Sequence, residues 1–541
     1  MRNRAFAALA LLALTLPFWD LGAPLLEVDD ARYAQVPAEM LASGDWTVPT
    51  LNGLHYVEKP PLWYWLAAAS YRVFGVSEAA ARLPLALLAL LGALGAWWLG
   101  AWLYSPAVGR LAGAATASAL LWAFLAHNMT LDLPVSVFLF GTTAFSLRAM
   151  LRPEDGRWAA PAAWACAGLA FLSKGLISVL FPAAWVVGLV LLRPELRAGA
   201  AALLRPDGPL IAAAIVLPWL FAVSKAKPDF LQVFFVEQHF QRFLTPKYNR
   251  GAGWWFYLVV LPLGLLPWTV PAVAGFLRAA KRPFGGDARD FALACWIVGV
   301  AFFFSVSHSK LATYALPVVP FCAVLAARRL EDGLSPVARK SLSAIGWTLV
   351  AASALAALAV LASALPSKTL PPAAAPAALV AVAAVLVLGA VQVLAAKSPA
   401  PALPLLAGGV LAWGLALGAL RAAEPFTSAR ALSLAVRDAA KPGDEVWTYG
   451  TYFHGLPFYS GRRVDRMVYF IGEFHYAKRD PANEARFGDD DEMRLLPLPG
   501  KTVFVAYRAF ERPHLRTLPK EGSIVSDRDF GSWALAEVRA R

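Results

Sequence analysis

"AIGWTLVAASALAALAVLASAL", Ala344–Leu365, runs for 22 residues without a charged side chain. As a helix rising about 1.5 Å per residue it would reach roughly 33 Å, close to the thickness of a bilayer's hydrocarbon core. Ala402–Leu420 is a second run of the same kind. Around them the 541-residue chain is 59% hydrophobic and only 16% charged, with a mean hydropathy of +0.55. A soluble chain of this length would break its apolar runs more often. The expected fold class is therefore a polytopic α-helical membrane protein with about 13 transmembrane helices.

The net charge of +13 would point to nucleic acid in a soluble domain, but here its distribution follows the positive-inside rule. After Arg2 and Arg4, alternate connections carry Arg110; Arg148, Arg152 and Arg157; Arg193, Arg197 and Arg205; Arg278, Lys281, Arg282 and Arg289; Arg328, Arg329, Arg339 and Lys340; and Lys397. The opposite short connections offer only Lys174, Lys310 and Lys368. This asymmetry predicts a cytoplasmic N-terminus and an outer C-terminal region, with no role in nucleic-acid binding. Pro24 spoils a signal-cleavage site after Leu21-Gly22-Ala23, so the first apolar stretch is expected to stay as an anchor. Cys166, Cys295 and Cys322 lie inside apolar runs and read as small core residues.

Two domains are expected: 1–420, a transmembrane domain, and 421–541, an α/β domain. Outer loops at 22–80 and 225–253 belong to the first. In the loop 22–80, Val28–Ser43 reads as a helix ended by Gly44, with Asp29, Arg32 and Tyr33 on one face. Pro37 predicts a kink or a late start. Pro60-Pro61 open a second helix, stopped by Gly75, whose Trp63, Tyr64, Trp65 and Tyr71 fit a membrane interface. In the tail, 429–440 reads as helix, and Glu445–Tyr449, Thr502–Tyr507 and Ser532–Arg539 as strands.

Ionisable residues gather on the outer side: Asp29-Asp30, Glu58-Lys59, Asp132, Lys174, the run "EQHFQRF" (Glu237–Phe243), Lys247, Arg250, His308, Lys310 and Tyr314. Singly, each has an ordinary explanation, such as an N-cap or a snorkelling lysine. Together, cations and carboxylates converging on one face beside aromatic helices suit a lipid-linked phosphate, held by Lys as a point charge and by Arg as a two-pronged donor.

The stretch Glu27–Gly75 resembles the first outer loop of the bacterial aminoarabinose transferases of lipid A and of the wider membrane family shared with protein O-mannosyltransferases. "LDLPVSVF" (Leu131–Phe138), "FLSKGLISVLFP" (Phe171–Pro182), "VEQHFQRF" (Val236–Phe243), "GWWFYL" (Gly253–Leu258) and "SKLATYALP" (Ser309–Pro317) follow in the family's order. The resemblance implies a C-type glycosyltransferase fold. It also implies transfer of a sugar, 4-amino-4-deoxy-L-arabinose or one like it, from a polyprenyl (undecaprenyl) phosphate donor to lipid A or a related envelope acceptor. The reaction would take place at the periplasmic face of a bacterial inner membrane, without a nucleotide cofactor.

Carried over residue by residue, the resemblance makes Asp29 and Asp132 the catalytic carboxylates. It makes Tyr56, Lys59, Lys174, Arg242, Arg250, Lys310 and Tyr314 the contacts to donor phosphate or lipid, and Glu58 with His239 a divalent-metal position, zinc or similar. Asp30 stands where relatives often carry Glu. A protein or polysaccharide acceptor is the alternative within this chemistry. A lipid-linked glycan transporter is the alternative outside it, and would place ionisable residues at mid-span and show internal repeats. A non-catalytic lipid-glycan binding protein is the third reading.

Overall fold

The computed structural model describes residues 2–241, 251–281, 286–363, 372–520 and 522–539. Among these, eight helices are long and apolar enough to cross a membrane: Glu78–Leu103, Asp132–Leu151, Asp207–Ala226, Ala288–Val306, Ala312–Glu331, Pro336–Ser363, Ala375–Lys397 and Ala402–Ala422. Ile177–Leu192 and Pro194–Leu204, bent by 118°, make a ninth if they form one broken span. Arg4–Phe18 and Thr269–Ala280 are apolar but shorter. The chain is a polytopic helical membrane protein.

The expected count of about thirteen spans treats as continuous some apolar runs that the backbone divides. Pro106–Ser118 and Leu120–Leu125, for example, are separated at Ala119, whose φ −67° and ψ 133° are extended. Where helices do run past one another, small residues let them close. A methyl group on Gly346 would meet the Gly389 carbonyl at 2.8 Å, so the helices Pro336–Ser363 and Ala375–Lys397 touch backbone to backbone there.

The first outer loop folds as its sequence predicts at both helices. Asp29–Ser43 is helical through Pro37 and ends on Gly44 in the left-handed conformation, φ +73°. The neighbours Asp29 and Asp30 part company at its start. Asp30 is buried, with its carboxylate against Arg82 and accepting from the N–H groups of Leu26 and Met129 at 3.1 and 2.8 Å. Arg82, equally buried, also donates to the carbonyls of Leu21, Ala23, Pro24 and His127. Downstream, Glu39 receives the Thr50 hydroxyl and the N–H groups of Asn52 and Gly53, clamping the hairpin of β1 (Thr50–Leu51) and β2 (Leu54–His55) onto the helix.

The second helix, Leu62–Phe74, ends at Gly75 as expected, but its aromatics do not form an interfacial belt. Trp63, Tyr64 and Tyr71 are buried within the protein. Trp63 Nε1 donates to the Tyr33 carbonyl and Tyr71 hydroxyl to that of Ala34, both at 3.0 Å. The physical reason is that the same amphipathic face that would suit an interface finds the Asp29–Ser43 helix first. Val73 and Phe74 are left exposed.

The C-terminal region forms one six-stranded sheet in the order β5-β4-β3-β6-β8-β7. The strands are β3 (Glu445–Tyr449), β4 (Arg466–Val468), β5 (Phe487–Gly488), β6 (Val503–Arg508), β7 (Ile524–Phe530) and β8 (Trp533–Val538). The pairs β3–β4, β3–β6 and β4–β5 are parallel, while β8 is antiparallel to β6 and to β7. Alternation sends Trp447, Tyr449, Val503, Val505 and Tyr507 into the core of one face. Val446, Phe504 and Ala506 turn the other way, into the core that continues down through the loop and the spans. The connections leaving the carboxyl ends of β3 and β4 run toward the membrane portion, and this positions the site.

Candidate active site

A cavity of about 1160 Å³ opens between the first outer loop, the ends of several spans and the C-terminal unit. Asp29, Arg32, Tyr33, Tyr56, Glu58, Lys59, Asp132, Lys174 and Tyr314 all line it. Leu176, Ile177, Leu180, Phe234, Phe303 and Phe304 add apolar wall. The cavity thus offers both charged groups and apolar surface, the combination that a phosphate carrying a hydrocarbon tail requires.

The Asp29–Ser43 helix presents Asp29 and Arg32 one turn apart, and the Arg32 guanidinium donates to the Asp29 carboxylate. The Asp29 side chain is 54% exposed, whereas that of Asp30 is fully enclosed. Asp29 thus faces the cavity, and Asp30 faces the protein interior. Tyr56 is buried in the wall, and its hydroxyl has no hydrogen-bond partner. Burial holds this phenol well above its usual pKa, so it stays a neutral donor.

Pro61 precedes the Leu62–Phe74 helix and fixes Glu58-Lys59 at the rim. The Lys59 ammonium lies 3.9 Å from Glu58 and 3.5 Å from the Gln238 side-chain oxygen. Deeper in, Asp132 begins the helix Asp132–Leu151 and pairs with Lys174, whose ammonium sits 4.6 Å over the Tyr314 ring.

Four expected residues fall elsewhere or outside what the structure describes. Lys310 is buried with its ammonium on the Ser307 carbonyl; its neighbours Ser309 and Leu311 line the cavity instead. Arg242 and Arg250 lie outside the described residues, and so does the side chain of His239. The described part of the metal position does not make a metal site. Glu58 faces a lysine, and no group of three His, Cys, Asp or Glu residues able to hold a metal ion is found among the described residues.

The C-terminal unit supplies a wall that the sequence reading did not assign: Gly472, Glu473, His475, Tyr476 and Arg479. Arg479 makes two hydrogen bonds to Glu237, at 2.7 and 3.0 Å, and the Tyr476 hydroxyl donates to Asp229 at 2.8 Å. Glu473 lies 3.5 Å from Arg32 and meets the buried His454 on its other side. Burial raises the Glu473 carboxyl, but His454 and Arg32 outweigh it and bring the pKa down to about 2. β4 and β5 are parallel, so the link between them is a crossover, and neither short strand is announced by the sequence.

Residues 58–226 match the family described as dolichyl-phosphate-mannose-protein mannosyltransferase. The undecaprenyl phosphate-alpha-4-amino-4-deoxy-L-arabinose arabinosyl transferase 1 of Sodalis glossinidius is 37% identical over 320 residues, 57% of this chain and 55% of that protein. The corresponding transferase of Edwardsiella ictaluri is 34% identical over 316 residues, with the same shares covered. The crystal structure of ArnT from Cupriavidus metallidurans bound to undecaprenyl phosphate superimposes with a TM-score of 0.83 at 25% identity, covering 98% of this chain and 97% of that one.

Over part of its length, then, the chain is similar to the aminoarabinose transferases and to the protein O-mannosyltransferase family.

The likeness to that solved structure is nearly end to end, through the C-terminal unit as well as the spans. At the sequence level the chain spans only about half the length of the curated relatives it matches. The part that aligns by family description, 58–226, contains Glu58, Lys59, Asp132 and Lys174, four of the cavity's charged groups.

Proposed function

We propose that this chain transfers 4-amino-4-deoxy-L-arabinose, or a closely related sugar, from undecaprenyl phosphate to lipid A or a related envelope acceptor. The reading places residues 1–420 in a bacterial inner membrane as the catalytic domain. Residues 421–541 form an α/β domain on the periplasmic side, and the N-terminus is cytoplasmic. The observation that carries it is a cavity lined by both charged and apolar side chains, with a half-exposed carboxylate, Asp29, among them. A chain similar to ArnT bound to undecaprenyl phosphate has a use for both kinds of lining.

In the reaction, the bond between the anomeric carbon and the donor phosphate oxygen breaks, and an acceptor oxygen bonds to that carbon from the opposite face. The departing lipid phosphate gains negative charge, and fixed cations in a poorly solvated site stabilise it. Lys59 at the rim is placed for that role, with the Tyr56 hydroxyl as a neutral donor beside it. Lys174, held by Asp132 and Tyr314, is the second cation, suited to an anionic acceptor. An acceptor phosphate is already nucleophilic and needs no base; Asp29 then holds the donor's amine. An acceptor hydroxyl would instead surrender its proton to Asp29.

Mass spectrometry of total lipids tests the reading in cells lacking the protein, complemented with wild type or with Asp29→Asn. The expected result is accumulation of undecaprenyl phosphate-aminoarabinose in the null and Asp29→Asn strains only. Accumulation of another sugar would rename the donor, and loss of glycan from protein rather than lipid A would rename the acceptor. Identical lipids in all strains would favour transport or binding.

A further inference from the structure

His454 lies outside the cavity, before the short helix Gly455–Ser460, and its side chain is 1% exposed. Nε2 meets the Glu473 carboxylate, and Nδ1 lies 3.4 Å from Glu27. Glu27 also accepts the backbone N–H groups of His454 and Gly455, at 2.8 and 2.7 Å. The Tyr452 ring closes the remaining side, edge to face at 4.9 Å. From Glu473 the line continues to Arg32 at 3.5 Å, and from Arg32 to Asp29. Two cations, His454 and Arg32, are threaded among three carboxylates, Glu27, Glu473 and Asp29.

Resting on the transferase reading, we propose that His454 is a positioning residue for Asp29. As an imidazolium it neutralises Glu473 and so leaves Arg32 to Asp29. Without that charge, the largely enclosed Glu473 has Arg32 as its nearest cation, and an unpaired buried carboxylate draws strongly on any available partner. Arg32 then swings toward Glu473 and Asp29 loses its orientation. Nε2 is hydrogen-bonded to Glu473 and the Glu27 carboxylate lies 3.4 Å from Nδ1, so two carboxylates flank the ring and favour its charged form. Burial lowers the His454 pKa, but Glu473 and Glu27 overcome that and raise it above its usual value.

The test uses the full chain in lipid nanodiscs, with undecaprenyl phosphate-aminoarabinose as donor and lipid A as acceptor. His454→Gln is expected to lower kcat at least tenfold, with the donor KM within about threefold of wild type and undecaprenyl phosphate binding unchanged. Adding Glu473→Gln to His454→Gln should restore part of the lost kcat, because no carboxylate then competes for Arg32. In wild type, kcat should fall at alkaline pH as His454 deprotonates, and that limb should vanish in His454→Gln. A kcat within twofold of wild type, or a loss that neither the double variant relieves nor the pH profile registers, overturns the proposal. Should His454→Gln fail to fold, Glu27→Gln keeps the imidazole but weakens its charge, and the alkaline limb should move to lower pH. An unmoved limb overturns the proposal equally. A wild type that binds undecaprenyl phosphate but transfers nothing overturns the transferase reading, and the positioning role with it.

Discussion

Asp29 and Asp30 are adjacent and identical in chemistry, yet their replacement should have opposite consequences. Asp30→Asn removes the charge from a carboxylate that is completely enclosed and faces an arginine only 2% exposed. Arg82 would then be a buried guanidinium with five carbonyl or amide contacts and no counter-ion. Breaking a buried pair from one side costs about 3–5 kcal/mol, or roughly two to four powers of ten in the folding equilibrium. Asp29→Asn loses a contact to Arg32 across a half-exposed surface, worth about 0–1 kcal/mol. Fluorescence-monitored thermal unfolding in detergent, run beside the transfer assay, separates the two. Asp30→Asn should melt well below wild type, whereas Asp29→Asn should melt with it and transfer nothing. If Asp30→Asn kept the wild-type melting point but lost activity, the division into structural and reactive aspartates would be wrong.

Lys174→Met should lower turnover at least tenfold, and adding Asp132→Asn should cost little more, since the two act as one ion pair; a double-variant cycle in kcat/KM checks this. Tyr56→Phe removes a buried hydroxyl with no protein partner, so it should melt at or above the wild-type temperature while turnover falls about tenfold. The His454–Glu473 link should also shape stability against pH. Glu473, lowered from 4.5 to about 2, contributes stability that is complete above pH 4.5 and is lost as pH falls toward 2. His454, raised from 6.5, contributes stability that is complete below pH 6.5 and is lost as pH rises through its folded-state pKa. Melting curves should therefore show the full contribution between about pH 4.5 and 6.5, absent in His454→Gln.

Much of the fold was legible because membrane spans and strands announce themselves by runs and alternation. Ala344–Leu365 carries its meaning in composition alone, and β3 and β6 in their β-branched and aromatic residues. The spacing of Asp29, Arg32 and Tyr33 placed three groups on one helical face, and all three line the cavity. Legibility ended where a residue's partner is remote in sequence. Trp63 and Tyr64 look the same whether they meet lipid or another helix, and only the packing against the Asp29–Ser43 helix decides it. Lys310 has the composition of a phosphate ligand, but its ammonium is taken by a backbone carbonyl three residues away. Glu473 and His454 sit in a region with no membrane character, and nothing local shows that they reach back to Glu27 and Arg32.

That reach has a consequence for how the protein is made. The carboxylate of Glu27 and the amide of His454 that it binds are 427 residues apart in the chain. At a synthesis rate of about 5–20 residues per second, the first outer loop waits roughly 20–85 seconds for the partner that completes it. Throughout that interval the spans can insert and pack, but the chamber around Asp29 has no far wall. That wall arrives only with the segment that runs from His454 to Arg479. A chain cut short before His454 would therefore occupy its place in the bilayer with the chamber still open on that side.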